Sequence, residues 1–296
     1  MAAVLSPASA PATRPALPDG PWHRAWRKLR RRRAAMLGLW VVIGFVVLAV
    51  FAAWIAPQDP IATSWGAIRK APSAGHWFGT DEIGRDVFSR VVWGTRASML
   101  AGVVSVSISL LLGVPIGLAA GFAGGFVDGL ISRLTDAFLA CPFLILAIAL
   151  AAFLGPSLTN AMIAIGVSAT PIFARLTRGA VINVKVEDYI EAARALGASP
   201  LRQALRHVLP NIAAPLIVQA TLAIAAAVIA EASLSFLGLG QQPPAPSWGS
   251  MLNTAKNYVD NAPWMAIWPG LSIFLLVLSF NLLGDGLRDA LDPRQR

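Results

Sequence analysis

Six long apolar stretches constrain the fold of this chain more than any other feature of its sequence. A helix that crosses a bilayer needs about 20 mostly apolar residues, because its backbone must satisfy its own hydrogen bonds in hydrocarbon. The predicted spans are Ala34–Ala56, Ala97–Phe122, Ala137–Leu154, Asn160–Leu176, Asn211–Ala230 and Trp264–Leu283. We therefore expect an all-α membrane protein with six transmembrane helices.

The composition agrees with this prediction. Hydrophobic residues make up 56% of the 296 positions and charged residues only 13%, against about 25% charged in soluble domains. The fourth stretch is the weakest because Pro171 interrupts it, although membrane helices tolerate proline where neighbouring helices cover the freed carbonyl.

The stretches divide the chain into four regions. Residues 1–33 are a basic N-terminal segment, whose Ala-, Pro- and Ser-rich part before residue 21 is predicted to be disordered. Residues 34–56 form the first span, residues 57–96 an outer segment, and residues 97–296 the membrane core. A signal peptide is disfavoured, since the apolar run is too long and lacks a convincing cleavage site.

The basic residues are unevenly distributed around the predicted spans. Eight of the 24 Lys and Arg residues lie between Arg14 and Arg33, and six lie between Arg175 and Arg206. With the N-terminus in the cytoplasm, 18 basic residues lie on the inner side and 6 on the outer side. The positive-inside rule then places both termini in the cytoplasm. The cluster before the first span predicts contact with anionic lipid rather than with nucleic acid.

Residues that carry chemistry are scarce in this sequence. It has one cysteine, Cys141, and three histidines without metal-ligand spacing. It contains no nucleophile with a base and an orienting group, and no G-x-x-x-x-G-K-[ST] phosphate loop. We therefore expect no catalysis, cofactor or metal on this chain, and any energy source must lie on another subunit.

The outer segment after the first span is predicted to contain an amphipathic helix. Thr80 or Asp81 is placed to cap it, and Ile83, Val87 and Val91 follow at nearly helical spacing. Such a helix is expected to lie at the outer membrane surface.

Small residues in the second span indicate a packing seam. Gly113, Gly117 and Gly121 are four residues apart and share one helix face, which allows another helix to approach closely. The alternative is the general enrichment of glycine in membrane helices.

The loop between the fourth and fifth spans, Asn183–Asn211, has clear helix boundaries. Asn183 is predicted to cap a first helix, and Gly197 to end it. Ser199 and Pro200 then begin a second helix, and Pro210 marks the entry into the fifth span. The result is a compact helical hairpin on the inner face, with small side chains around its turn.

This loop resembles the EAA loop of ABC importer permeases, usually written E-A-A-x3-G-x9-I-x-L-P. The sequence has EAA at 191–193, Gly197, and HVLP at 207–210, with His207 in place of the usual isoleucine. In that family the loop forms the coupling helix that sits in a cleft of the ATPase subunit. The resemblance implies ATPase-coupling roles for Tyr189, Glu191, Ala192, Ala193, Gly197, Ala198, Leu209 and Pro210. An ordinary solvated hairpin or a DNA-reading helix-turn-helix is disfavoured by the six matching positions and by the flanking spans.

Three further segments are similar to permeases of the dipeptide, oligopeptide, nickel and glutathione importers: residues 76–90, 233–252 and 280–294. The resemblance runs from about Trp22 to the C-terminus. It implies the type I ABC importer permease fold, with a permease core at 97–296 that carries the coupling loop at 183–211.

The resemblance also implies a set of partners in the bacterial cytoplasmic membrane. They are a second homologous permease subunit, two ATP-binding subunits that hold ATP and Mg, and an extracytoplasmic peptide-binding protein. Di- or oligopeptides are the expected substrates, with glutathione or a nickel chelate as the alternative. A secondary transporter is the alternative class, but the sequence has no internal repeat that supports it.

Glu231 is the one ionisable residue near the outer end of the fifth span. A charge at that depth is a functional candidate, so Glu231 is expected to line the pathway or its gate. Pairing with a polar group of a neighbouring helix is the equally weighted alternative.

Overall fold

The computed structural model describes residues 21–291, which form a helical bundle with no β-strand among them. The disorder predicted before residue 21 lies outside the described residues. The helices are α1 (Pro21–Arg31), α2 (Arg33–Val50), α3 (Ala52–Ile55), α4 (Val87–Ala123), α5 (Gly125–Ala140), α6 (Phe143–Leu154), α7 (Leu158–Val184), α8 (Asp188–Ala195), α9 (Pro200–Arg202), α10 (Leu209–Phe236), α11 (Trp248–Ala255) and α12 (Trp264–Leu291).

Four helices in the described part of the chain are long and apolar enough to cross a membrane: α2, α4, α12 and the continuous helix 200–236. Helices α5 and α6 add a fifth candidate if they form one span, although they meet at 90°. The chain is thus a multi-pass all-α membrane protein. Helix α7 has 27 residues, about 40 Å at 1.5 Å per residue, but polar side chains make up a larger share of its residues than in α2, α4, α10 or α12.

The third predicted span, Ala137–Leu154, is broken where a continuous helix was expected. Helix α5 ends at Ala140, Cys141 is extended (φ −82°, ψ 130°), and α6 begins at Phe143. Pro142 explains the break, because proline disfavours helical geometry in the residue before it and donates no backbone hydrogen bond. Pro171, by contrast, lies buried inside α7 without ending it.

The predicted glycine seam is confirmed, and its partner is α7. A Cβ atom added at Gly117 would lie 2.5 Å from the Ala174 carbonyl oxygen, and one at Gly121 would lie 2.6 Å from Val181 Cγ1. Two serines of α4 add hydrogen bonds to the α7 backbone: Ser105 Oγ donates to the Met162 carbonyl at 3.0 Å, and Ser109 Oγ to the Gly166 carbonyl at 2.8 Å. Close backbone approach and interhelical hydrogen bonds are the main attractions between helices in lipid.

Helices α4 and α7 run parallel. Gly113 of α4 faces Phe173 of α7, and Gly121, further along α4, faces Val181, further along α7. Helices α5 and α6 must therefore carry the chain back across the bundle between them. Helix α10 runs the other way along α4: Gly102 faces Val228, and Ser98 Oγ donates to Glu231 Oε2 at 3.1 Å.

The bundle has two distinct ends. We call one the basic end; it holds α1, the end of α4, the segment between α7 and α10, and the end of α12. There, Arg32 pairs with Asp289 at 2.9 Å, and Lys185 Nζ donates to the Gly121 carbonyl at 2.8 Å. Leu29 of α1 is buried in a cluster with Leu283 of α12. The opposite end holds the start of α4 and helix α11.

The amphipathic surface helix predicted for the outer segment is wrong in its start and its surroundings. The helix begins at Val87, capped by Asp86, whose Oδ2 accepts from the Ser89 backbone N–H at 2.8 Å. It then continues as α4 for 37 residues without a boundary near residue 96. Val87 and Val91 are buried against Met251, so they face protein and not a membrane surface.

Glycine substitutions test the seam. We expect Gly117→Ala to lower the free energy of unfolding by about 1–3 kcal/mol, because the new methyl group meets backbone atoms of α7. Gly129→Ala is the matched control: no atom lies within 4 Å of a Cβ at that position, so alanine should be neutral or stabilising by up to about 1 kcal/mol. Thermal unfolding of both variants in detergent measures the difference, and equal effects would contradict the seam.

Candidate functional site: a helical hairpin at the basic end

The segment between α7 and α10, residues 185–208, forms a helical hairpin, and the structure changes its predicted boundaries. Asn183 lies inside α7, which continues to Val184, and so it caps no helix. Helix α8 begins at Asp188, with Glu187 at the N-cap position but without a side-chain capping bond. Asp188 and Glu191 lie in the first turn of α8, where negative charge interacts favourably with the helix dipole.

The turn of the hairpin depends on Gly197. Its φ is +81°, a backbone conformation that glycine adopts without the steric cost other residues incur. Its N–H donates to the Arg194 carbonyl at 2.9 Å, and the Ala198 N–H donates to the Ala193 carbonyl at 3.0 Å. These bonds satisfy carbonyls at the end of α8, as predicted for a C-terminal glycine.

The second arm of the hairpin begins as predicted and then departs from α-helical geometry. Ser199 Oγ accepts from the Arg202 N–H at 3.3 Å and caps α9. A π-helical turn, Gln203–Val208, then leads into α10. Pro210 was expected to mark a helix boundary, but the helix continues through it. Pro210 has no backbone N–H to donate. The next residue, Asn211, donates from its side-chain Nδ2 to the His207 carbonyl at 2.6 Å. Residues 200–236 therefore form one continuous helix.

A few buried side chains hold the hairpin on the bundle. Ile190 and Val208 are fully buried, and both belong to the main hydrophobic core with Ile212. Gln203 is 3% exposed, and its Nε2 donates to the Ala198 carbonyl at 2.7 Å, which joins the two arms across the turn. The hairpin is thus a packed part of the fold.

The outer face of the hairpin is apolar, and sequence reasoning missed this. Leu196 is 88% exposed and Leu201 70% exposed, on either side of the turn. Further exposed hydrophobic side chains are Val186, Tyr189 and Leu205. Partial burial, together with the nearby charge of Glu187, raises the pKa of the Tyr189 hydroxyl above its usual value.

The predicted coupling residues divide into two groups in the structure. Glu191, Ala192 and Gly197 are exposed near the turn, with Ala193 and Ala198 partly buried beside them. Leu209 instead packs against the main core at the start of α10, next to exposed Pro210. Exposed leucines at 196 and 201 could have been suspected from the sequence, because each stands beside a helix-ending or helix-starting residue.

Glu231 is fully buried near the far end of α10. Its Oε1 accepts from Ser235 Oγ at 2.6 Å, and its Oε2 accepts from Ser98 Oγ of α4 at 3.1 Å. This geometry supports the predicted pairing with a polar group of a neighbouring helix. A role in the gate stays a prediction.

Within residues 21–291, no three His, Cys, Asp or Glu side chains are placed to hold one metal ion. The expectation that this chain carries no cofactor remains a prediction.

The long apolar helices, the glycine seam and the hairpin at one end define a multi-pass helical membrane protein. Residues 113–296 match the family described as binding-protein-dependent transport system inner membrane component. Residues 20–72 match the N-terminal TM domain of oligopeptide transport permease C. The chain belongs to the family of binding-protein-dependent transport system inner membrane components, and it is a multi-pass protein of the bacterial inner membrane.

Several relatives resemble the chain over nearly its whole length. It is 45% identical over 276 residues to the dipeptide transport system permease protein DppC of Alkalihalophilus pseudofirmus, covering 93% of this chain and 91% of the relative. It is 50% identical over 275 residues to the glutathione transport system permease protein GsiD of Shigella flexneri, with the same coverage of 93% and 91%.

The fold resembles that of a solved transporter. An inward-facing structure of the MetNI methionine ABC transporter aligns with a TM-score of 0.56 at 23% identity, covering 69% of this chain and 97% of that chain. The likeness supports the type I permease fold for this chain.

Substitutions of Glu231 test its pairing. We expect Glu231→Ala to lower the free energy of unfolding by about 1–3 kcal/mol, because the hydroxyls of Ser98 and Ser235 lose their acceptor inside the bundle. Glu231→Gln keeps an acceptor oxygen and should cost less than half as much. Thermal unfolding in detergent separates the two, and equal losses would show that the hydrogen bonds contribute nothing.

Proposed function

We propose that the chain is the transmembrane permease subunit of an ATP-driven importer that moves di- or oligopeptides across the bacterial inner membrane. The observation that carries this proposal is the hairpin at residues 185–208. It matches the EAA pattern and displays an apolar face at the basic end, and its second arm is the start of a 37-residue helix that is long and apolar enough to cross a membrane. Displacement of the hairpin would therefore be passed to the membrane helices.

The proposal includes six membrane crossings with both termini in the cytoplasm. The parallel packing of α4 and α7 supports it, since α5 and α6 must return the chain between them. Helices α2, α4, the α5–α6 pair, α7, α10 and α12 then alternate in direction. The excess of Lys and Arg at the basic end supports its assignment to the cytoplasmic side.

The proposed contact surface for the ATPase comprises Tyr189, Glu191, Ala192, Ala193, Gly197 and Ala198, extended by Leu196 and Leu201. Exposed leucines around a small-residue turn fit an apolar cleft on a partner, with charged residues at the rim. Leu209 and Pro210 contribute through the start of α10. In this proposal ATP and Mg bind the two partner ATPase subunits, and ATP hydrolysis takes place there.

The remaining proposed partners are a second homologous permease, an extracytoplasmic peptide-binding protein and membrane lipid. Helix α1 suits contact with anionic lipid headgroups: its sequence has no acidic residue, and Lys28, Arg30 and Arg31 lie in its last turn. Its buried Leu29 orients the helix against α12.

Peptides are the first substrate class because the DppC relative is a dipeptide permease, similar along 93% of this chain. Glutathione is the second candidate, favoured by 50% identity to a glutathione permease. Glutathione is itself a tripeptide, so both candidates present amide groups and carboxylates to the transporter. A nickel chelate shares less of this chemistry.

A charge placed on the apolar face of the hairpin tests the coupling proposal. We expect Leu196→Glu to weaken binding of the ATPase subunits about 10- to 100-fold, since an exposed interface leucine is replaced by a carboxylate that must be desolvated. Leu196→Met is the matched control, because it keeps an apolar side chain of similar volume. Co-purification of the ATPases and peptide-stimulated ATP hydrolysis measure the effect; full coupling in Leu196→Glu would place the contact elsewhere.

The energy source separates the proposed importer from a secondary transporter. In proteoliposomes with the binding protein outside, we expect uptake of a labelled dipeptide to require ATP inside and to survive collapse of the proton and sodium gradients. Uptake that follows an ion gradient and ignores ATP would overturn the proposal.

A further inference from the structure

Helix α10 carries six polar side chains, and five of them are hydrogen-bonded within the chain. Asn211, Thr221 and Ser233 donate to backbone carbonyls of their own helix, and Ser235 donates to Glu231. Gln219 is the exception: its side-chain amide forms no hydrogen bond with any residue in the described range 21–291.

Gln219 is half-buried near the middle of α10. It lies ten residues after the start of α10 and 17 before its end, or about 15 Å and 25 Å along the helix axis. It therefore lies deep within the span, where an amide without a partner costs several kcal/mol in hydrocarbon. Polar side chains at such depth are as a rule turned toward a partner, a cavity or a pathway.

Gln219 lines a cavity of about 120 Å³ between α4, α6, α7 and α10. Ala223, Ala226 and Ala227 lie on the same face of α10, four to eight residues further along, and their small side chains keep the cavity open. Ile172 and Ala226 are exposed at its rim, so the cavity opens on the surface of this chain.

The other polar groups at the cavity are already engaged. Ser105 and Ser109 line it, but their hydroxyls donate to the Met162 and Gly166 carbonyls of α7. Among the residues that line the cavity, Gln219 alone has a side-chain donor and acceptor without a partner in the described chain. The cavity is otherwise apolar and carries no charged side chain.

We propose that Gln219 and this cavity form a subsite that binds an amide group of the substrate during transport, an inference that rests on the proposed peptide importer. The side-chain amide offers one C=O acceptor and N–H donors, which complement the N–H and C=O of a peptide group. Alanine methyl groups beside it leave room for small side chains. The absence of charge allows substrates of either net charge to pass, because only the shared amide is recognised.

A concave, alanine-lined surface favours a small ligand over a helix of the second permease. A packed helix would have to fill the cavity with side chains to avoid leaving a void in the interface. Pairing of Gln219 with the second permease is nevertheless a distinct outcome of the experiment below.

The experiment uses the assembled importer in proteoliposomes, with ATP inside and a binding protein saturated with labelled dipeptide outside. Gln219→Leu and Gln219→Asn are compared with Thr221→Val. Thr221 is a matched control because its hydroxyl already donates to the Val218 carbonyl at 2.8 Å and because it does not line the cavity.

We expect Gln219→Leu to lower the number of dipeptides imported per ATP hydrolysed about 5- to 10-fold, through the loss of one to two hydrogen bonds. The number of dipeptides imported per ATP hydrolysed by Gln219→Asn should lie between the values for Gln219→Leu and the wild type. The value for Thr221→Val should equal that of the wild type. With a substrate analogue in which an ester replaces the amide, the difference between Gln219→Leu and the wild type should shrink to about two- to threefold, because the ester keeps its C=O acceptor but has no N–H to donate.

Two results would overturn the subsite. One is unchanged dipeptide import in Gln219→Leu; the other is loss of the second permease from the purified Gln219→Leu complex, which would assign Gln219 to assembly. Both leave the proposed function in place as long as the wild-type complex imports the dipeptide. A wild-type complex that imports neither dipeptides nor oligopeptides in an ATP-dependent manner would instead overturn the proposed function.

Discussion

The close packing of α4 on α7 determines the arrangement of most other elements. Three glycines bring the two backbones together, and two serine hydroxyls of α4 bond carbonyls of α7. Because this contact is parallel, the chain must cross back between the two helices, and the broken α5–α6 pair provides that return. The same contact fixes the end of α7 beside the end of α4, where Lys185 bonds the Gly121 carbonyl. The hairpin that follows is therefore held at the basic end.

Periodicity and length predicted the helical class, the apolar core of most spans and the face on which the glycine seam lies. These features follow from local composition, because a bilayer demands apolar helices. The outer segment was predicted less well. Thr80 and Asp81 have good capping chemistry, but Asp86, five to six residues later, caps the helix by accepting a hydrogen bond from the Ser89 backbone N–H. Competition between several adjacent capping residues is decided by tertiary contacts, here the burial of Val87 and Val91.

The hairpin shows the same division between local and tertiary information. Gly197, Ser199 and Pro200 have the roles predicted from their residue types, since turn and capping chemistry is local. The start of α8 was misplaced because α7 extends to Val184, held by packing that the sequence does not reveal. The exposed leucines at 196 and 201 were missed because hydrophobic residues are assigned to the core by default, although their places beside the helix-ending Gly197 and the helix-starting Pro200 were a signal of exposure.

The residues that attach the hairpin to the bundle differ from those it displays. Ile190, Gln203 and Val208 are buried and hold it in place, whereas Leu196 and Leu201 project outward. Selection can therefore act on the two sets independently. In the proposed importer, drift on the displayed set after gene duplication would alter the affinity of the permease for its ATPase subunit while its folding is preserved, so that related importers in one cell could acquire separate partners.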